Sequence, residues 1–528
     1  MSPDCLLKMF ALQCIVWWGL PVLVIAVVIK AAPWFIWGRR YLQLGSKIPG
    51  PPAIPLLGNL LQGLPRRNDA LDYFTELLDC YGPVCKGWIG PHLAVGLSDP
   101  KDAAVILSSS KTLSRTFIYK PVTLIFGNSL ISSENKAWKK FRRLMEPAFV
   151  QQIVNSYVSI FQEKSRSMAD AMEKFSDGDS FDVLNYTMNC TLEMLSETSL
   201  GVPTNLQVAT NKHHSVVINF LKLGKILTFL ITAPWFWFKY TLKLSTFYHE
   251  ICQLVQPIRN FVDLLIKEKI SSHINAKGKC IISDVSDISC TNTPNSRLGF
   301  MDHMVSTMIN KPGIFTEEEL QDETMFLIAA GTETTAYTVA TALMLLGLHQ
   351  DVQRKVVKEQ EDIFGEDTNR SVTERDLKEM VYLEQVIKET MRLYPPVPIV
   401  GRWVDEDVRI KNYTIPAGTT VMIPIYRIHR EPSYYPDPIK FDPERFNKEN
   451  SSSRPNCSFI PFSSGRKMCL GKKYAYIAMK TMLSVVLRRY QVLEYGSRND
   501  MECYKFELFL KLVNGYNIKL KSRMLKTK

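Results

Sequence analysis

Phe462-Ser463-Ser464-Gly465-Arg466-Lys467-Met468-Cys469-Leu470-Gly471 sets one cysteine between two glycines, just ahead of a helix expected from about Leu470 to Arg489. A thiolate at a helix N-terminus gains from the helix dipole and from free N–H donors. Those donors can hydrogen-bond the sulfur and tune a metal attached to it. Gly465 permits a tight turn, and Gly471 permits close approach of the helix to a flat ligand. A lone cysteine also has a plainer reading, inert core packing. A phosphate-binding loop does not fit, because five residues separate Gly465 from Gly471 and Lys472 is followed by Lys473.

The rest of the composition narrows the chemistry. The 528 residues include eleven cysteines, scattered and without a CxxC pair. That is neither a secreted disulfide framework nor a zinc site. At 46% hydrophobic and 22% charged residues, the chain can bury a large core. It carries 64 Lys and Arg against 52 Asp and Glu, a net charge of +12. Such an excess suits an anionic membrane surface or an acidic protein partner. Nucleic acid is not expected, since no zinc-finger spacing, RNP-like string or long basic block occurs.

Four further patterns stand along the chain. Trp138-Lys139-Lys140-Phe141-Arg142 sets Trp138 and Arg142 one helical turn apart. Ala330-Gly331-Thr332-Glu333-Thr334-Thr335 interrupts a long apolar helix, flanked by Phe326-Leu327-Ile328-Ala329. A carboxylate and hydroxyls inside an apolar helix are costly without a purpose. Glu389-Thr390-Met391-Arg392 puts opposite charges on one helix face. Pro443-Glu444-Arg445-Phe446 lies in a Pro-rich irregular stretch. Between them, residues 83–98 and 403–426 read as short strands, and 275–296 as a polar surface loop. The fold class expected is mainly α with a small β-sheet region.

The five motifs, in this order, resemble the cytochrome P450 family, whose haem-binding loop reads F-x-x-G-x-R-x-C-x-G. Phe462, Gly465, Cys469 and Gly471 match it, and Lys467 stands where the family has arginine. The resemblance runs from the proline stretch to the C-terminus and is greatest to the family-4 clan, including insect members. It implies the cytochrome P450 fold and a non-covalent haem b with Cys469 as the axial thiolate. Dioxygen would be the co-substrate, and NADPH would act indirectly through a reductase. Trp138, Arg142, Arg402 and Lys467 would serve the haem propionates, with Arg466 as the substitute should Lys467 not reach. Ala330 and Gly331 would leave room for dioxygen, and Thr334 and Glu333 would relay protons. Glu389, Arg392 and Arg445 would form a structural lock. Ala330 replaces the glutamate that tethers haem covalently in some relatives, so no ester is expected.

The partners this implies are NADPH-cytochrome P450 reductase, with cytochrome b5 as a further candidate, and an apolar small molecule from the lipid, hormone or xenobiotic classes. A basic face of Lys136, Lys139, Lys140, Arg143, Lys472 and Lys473 would suit an acidic partner or be plain solvated surface. A haem-thiolate isomerase or dehydratase and a haem sensor stay open as rivals.

Met9 to Ile29 is apolar apart from Gln13, long enough to cross a bilayer. It reads as a signal-anchor, the alternative being a cleaved signal peptide. Lys30, Arg39, Arg40 and Lys47 follow it, which places the body in the cytosol, at the endoplasmic reticulum membrane. The expected layout is an anchor over 1–30, a basic and Pro-rich hinge over 31–60, and one catalytic domain over 61–528. Residues 226–238 form a second apolar patch, too short to span, that is either core or dips into membrane lipid.

Overall fold

The computed structural model describes residues 38–523, apart from 55–56, 204–205, 208–214, 238, 283–298, 366 and 368. The expected anchor therefore lies outside the described residues. Among the described residues no helix is long and apolar enough to cross a membrane.

The longer helices are α1 (Ala70–Tyr81), α2 (Pro100–Ser108), α3 (Asn135–Met145), α4 (Val158–Met172), α5 (Leu184–Leu195), α6 (Ser215–Thr232), α7 (Thr246–Ile282), α8 (Phe300–Asn310), α9 (Glu317–Leu348), α10 (Gln350–Phe364), α11 (Val381–Leu393) and α12 (Lys472–Arg489). The strands are β1 (Val84–Ile89), β2 (His92–Leu97), β3 (Asp177–Asp182), β4 (Val400–Trp403), β5 (Val408–Ile410), β6 (Tyr413–Ile415), β7 (Thr420–Ile423), β8 (Tyr490–Leu493), β9 (Tyr504–Glu507), β10 (Phe509–Leu512) and β11 (Asn517–Ser522). The chain is mainly helical with small sheets, as expected.

Helix α9 is the axis. Thr316 caps it in a capping box with Glu319, and Glu317, Glu318 and Glu319 oppose the dipole at its N-terminus. Its residues are buried on nearly every side, which marks a helix enclosed by other elements. α5 packs along it, and Thr191 Oγ1 donates to the Thr332 carbonyl at 3.1 Å. α4, α11 and α12 complete the helical core.

The larger sheet has the order β1-β2-β7-β4. β1 and β2 form a hairpin, β7 runs parallel to β2, and β4 runs antiparallel to β7 with Arg402 opposite Val421. It holds a separate apolar core with Val95, Ile106, Val421 and Ile460. β3-β11-β8 form a second sheet, and β9 and β10 a hairpin.

The proline stretch is held on the sheet: Lys86 N–H donates to the Pro49 carbonyl and Asn59 N–H to that of Trp88. A Cβ on Gly50 would fall inside Lys86, so this stretch packs closely on β1. Residues 275–282 continue α7 instead of looping, because Ala276, Lys277 and Lys279 are good helix formers; the remainder of that loop is outside the described residues. In the 226–238 patch, Ile226, Leu227 and Leu230 are core, whereas Trp235 is 41% exposed.

Candidate active site

The loop of Cys469 is closed on itself. Cys469 N–H donates to the Phe462 carbonyl at 2.9 Å, and Met468 N–H to that of Gly465 at 3.2 Å. Ser463 and Gly465 take φ of +60° and +69°. At Gly465 a Cβ would fall inside the Leu107 carbonyl, so only glycine lets the loop lie on α2. Phe462 packs against Tyr476, with ring centroids 5.3 Å apart. α12 starts three residues after the cysteine, and Gly471 precedes it with open space on the side a Cβ would occupy.

The Cys469 thiol has solvent-accessible surface, yet it is enclosed enough for burial to raise its pKa. The Gly471 backbone and the charges of Arg142 and Lys472 favour the thiolate.

Three cations gather beside this loop. Lys467 is 9% exposed, and its Nζ has no hydrogen-bond partner among the described residues. It lies 4.9 Å from the ring centroid of buried Trp138. Burial, with Arg115 and Arg402 nearby, pushes its pKa down to about 6. Arg402, on β4, is 2% exposed and is pushed to about 10 by burial and by Arg115. Its guanidinium donates only to the Gly401 carbonyl at 3.0 Å and Ser463 Oγ at 3.3 Å. Arg115 has an unpartnered Nε, and burial lowers its pKa. None of the three forms an ion pair among the described residues. Buried like charges without an acid are costly, which signals a polyanionic ligand. The two carboxylates of a haem fit this cradle, and the Cys469 thiol fits an axial ligand. Arg115 was missed in the sequence, because no motif surrounds it and only the fold brings it to Arg402.

Arg142 Nη1 donates to the Met468 carbonyl at 2.7 Å, bracing the cysteine loop from α3. Arg466 is exposed. On α9, the partly accessible positions Phe326, Ala330, Gly331 and Thr334 share one stripe in an otherwise buried stretch. Thr334 Oγ1 donates to the Ala330 carbonyl at 2.8 Å. A Cβ on Gly331 would press on Leu195 at 3.1 Å, so this glycine also serves the contact with α5. Glu333 is 5% exposed and points toward Tyr337 and Lys511; burial raises it to about 7.

Glu389 and Arg392 form a fully buried bidentate pair at 2.7 and 2.8 Å. Arg445 Nε lies 3.5 Å from Glu389 Oε1, and Arg392 also donates to the carbonyls of His429, Pro438 and Lys440. In the expected basic face, Lys140 is taken by Glu319 at 2.9 Å, while Lys136, Lys139, Arg143, Lys472 and Lys473 are exposed. Two surface cavities, of about 420 and 290 Å³, contain none of these residues.

The model of the cytochrome P450 family matches residues 48–520. Cytochrome P450 4g1 of Drosophila melanogaster is 32% identical over 526 residues, 95% of this chain and 94% of the relative. Probable cytochrome P450 4aa1 of the same fly is 33% identical, covering 92% and 91%, and cytochrome P450 4V2 of Homo sapiens is 30% identical, covering 89% of each. The loop, its cradle and these matches lead to one conclusion: the chain belongs to the cytochrome P450 family, on its family-4 branch, and is a monooxygenase.

Proposed function

We propose that the chain is a membrane-anchored haem-thiolate monooxygenase that inserts one atom of dioxygen into an apolar small molecule, with electrons from a separate NADPH-cytochrome P450 reductase. Cytochrome b5 is a candidate second donor. The carrying observation is the enclosed Cys469 thiol beside three cations, Lys467, Arg402 and Arg115, none of them in an ion pair among the described residues.

Cys469 would be the axial ligand, and Lys467, Arg402 and Arg115 would hold the propionates, with Trp138 beneath Lys467. Haem bound there supplies dioxygen activation, assisted by electron donation from the thiolate. Arg142 holds the loop that presents the sulfur. Ala330 and Thr334 would leave room for dioxygen, and Glu333, one residue before Thr334, would hold a proton for delivery.

An aromatic cap supports an apolar substrate. Phe126 stacks on Phe220 at 6.1 Å and meets Phe326 edge-on at 5.9 Å. These rings come from three segments far apart in the chain, the turn before Gly127, α6 and α9. The apolar run Met9 to Ile29 supports anchoring in the endoplasmic reticulum membrane, with the body in the cytosol.

The test is the carbon monoxide difference spectrum of the reduced protein. The thiolate-type Soret band is expected in the wild type and lost in Cys469→Ser; a band that survives the substitution sinks the assignment. Product made without dioxygen or reductase would favour an isomerase instead.

A further inference from the structure

No motif pointed to the C-terminal strands. β9 and β10 pair from Tyr504 opposite Leu512 to Glu507 opposite Phe509, and Leu508 turns between them at φ +60°. This hairpin lays Lys511 on Tyr337, with Nζ 5.5 Å from the ring centroid. Tyr337 lies one turn beyond Glu333 on α9, on the same helix face, and its hydroxyl bears on the Glu333 carboxylate. Phe509 and Tyr516 fix the same ring at 6.2 and 5.7 Å. On its other side Lys511 Nζ lies 3.8 Å from Glu507. Glu333 and Tyr337 are buried, at 5% and 3% exposed, while the Lys511 and Glu507 side chains reach 13% and 26%.

We propose that this string of acid, phenol, ammonium and acid is the proton inlet of Glu333, with Lys511 as the positioning residue that refills it. The proposal rests on the reading that Glu333 delivers protons. Each transfer balances without a redox step. The Lys511 ammonium gives one proton, directly or across the Tyr337 hydroxyl, to the Glu333 carboxylate. Carboxylic acid and amine result. A solvent acid then returns one proton to the amine by way of Glu507.

The charged and titratable groups around the string are few. Glu333 meets Tyr337 and Lys511; Tyr337 also meets Tyr516 and Glu507; Lys511 meets Glu507 and, from α6, Lys225. Burial raises Glu333 to about 7 and lowers Lys511, which narrows the gap a proton must cross.

The test uses full-length haem-loaded enzyme with its reductase and a lipophilic substrate that gives a binding spectrum. The infrared carboxyl band of Glu333, identified by its loss in Glu333→Gln, is titrated with pH. Hydrogen peroxide released per NADPH is measured alongside. Lys511→Met should move the titration up by about one pH unit, tenfold in proton affinity, and raise the peroxide fraction severalfold. Lys511→Arg keeps the charge but does not give up a proton, so it should restore the titration and leave peroxide high. Tyr337→Phe should also raise peroxide with the cation in place. Lys511→Arg matching the wild type in both readouts would show that a fixed charge suffices and would overturn the inlet, as would an unchanged Lys511→Met. Should Glu333→Gln leave the peroxide fraction unchanged, the reading of Glu333 itself fails.

Discussion

Gly465 sits at φ +69° with the Leu107 carbonyl where a Cβ would stand, so it has two separate reasons to be glycine. Gly465→Ala should displace the cysteine loop from α2 and leave most of the purified protein without haem, read from the ratio of Soret to protein absorbance. Glu323, on α9, carries a different strain. It is 0% exposed, and neither carboxyl oxygen has a hydrogen-bond partner among the described residues. The Leu130 backbone opposes the rise only weakly. Burial dominates and raises it to about 8 from 4.5, with Asp322 and Glu319 adding and Lys140 opposing. The folded state then binds more protons than the unfolded state between those values. Stability is fully present below about 4.5 and declines as pH rises toward 8, by up to about 1.4 kcal/mol per unit. Urea midpoints measured from pH 5 to 9 should fall in the wild type and flatten in Glu323→Gln; parallel curves would count against this account.

At the scale of elements, α9 depends on its first turn. Thr316 accepts from Glu319 N–H at 3.1 Å, and Glu319 both caps Thr316 N–H and pairs with Lys140 of α3. Thr316→Ala should cost about 1 kcal/mol, seen as a lower urea midpoint at unchanged slope. The lock on α11 is worth more, because it is dry. Glu389→Gln leaves Arg392 with an uncompensated buried charge and should cost about 3–5 kcal/mol. Loss of haem on mild heating, earlier than in the wild type, is the measurement. A substitution tolerated without loss would make the pair a surface-like one, which its 0% exposure does not allow.

At the scale of the molecule, one helical body and one sheet-bearing body meet around the cysteine loop. Pro49 and Asn59 are stitched to the sheet, so both stay with the body when the apolar N-terminus is removed. A chain beginning at residue 38 should keep the thiolate carbon monoxide spectrum and lose most of its sedimentation with membranes. Residual binding is expected where Leu57, Leu61, Trp235 and Leu244 stand exposed. Full retention on vesicles after this deletion would place the anchor elsewhere.

The sequence alone determined what neighbours along the chain can decide. Cys469 between two glycines, Glu389 three residues before Arg392, and the apolar run around Ala330 are local patterns whose helical or turn geometry follows from spacing. Helix α12 and the strands near 84–97 and 400–423 were legible for the same reason. What only the tertiary structure decided depends on residues far apart in the chain. Arg115 and Arg402 share a cradle with Lys467 because β4 pairs with β7 and the segment before α3 folds over it. Arg142 also braces the cysteine loop through a carbonyl 326 positions away, a contact its spacing to Trp138 does not contain. Lys467, the one departure from the family pattern, lies over Trp138, a contact that no reading of its own loop contains. Hydrophobic periodicity reports which face is buried; which charges meet inside depends on chain crossings that carry no local signal.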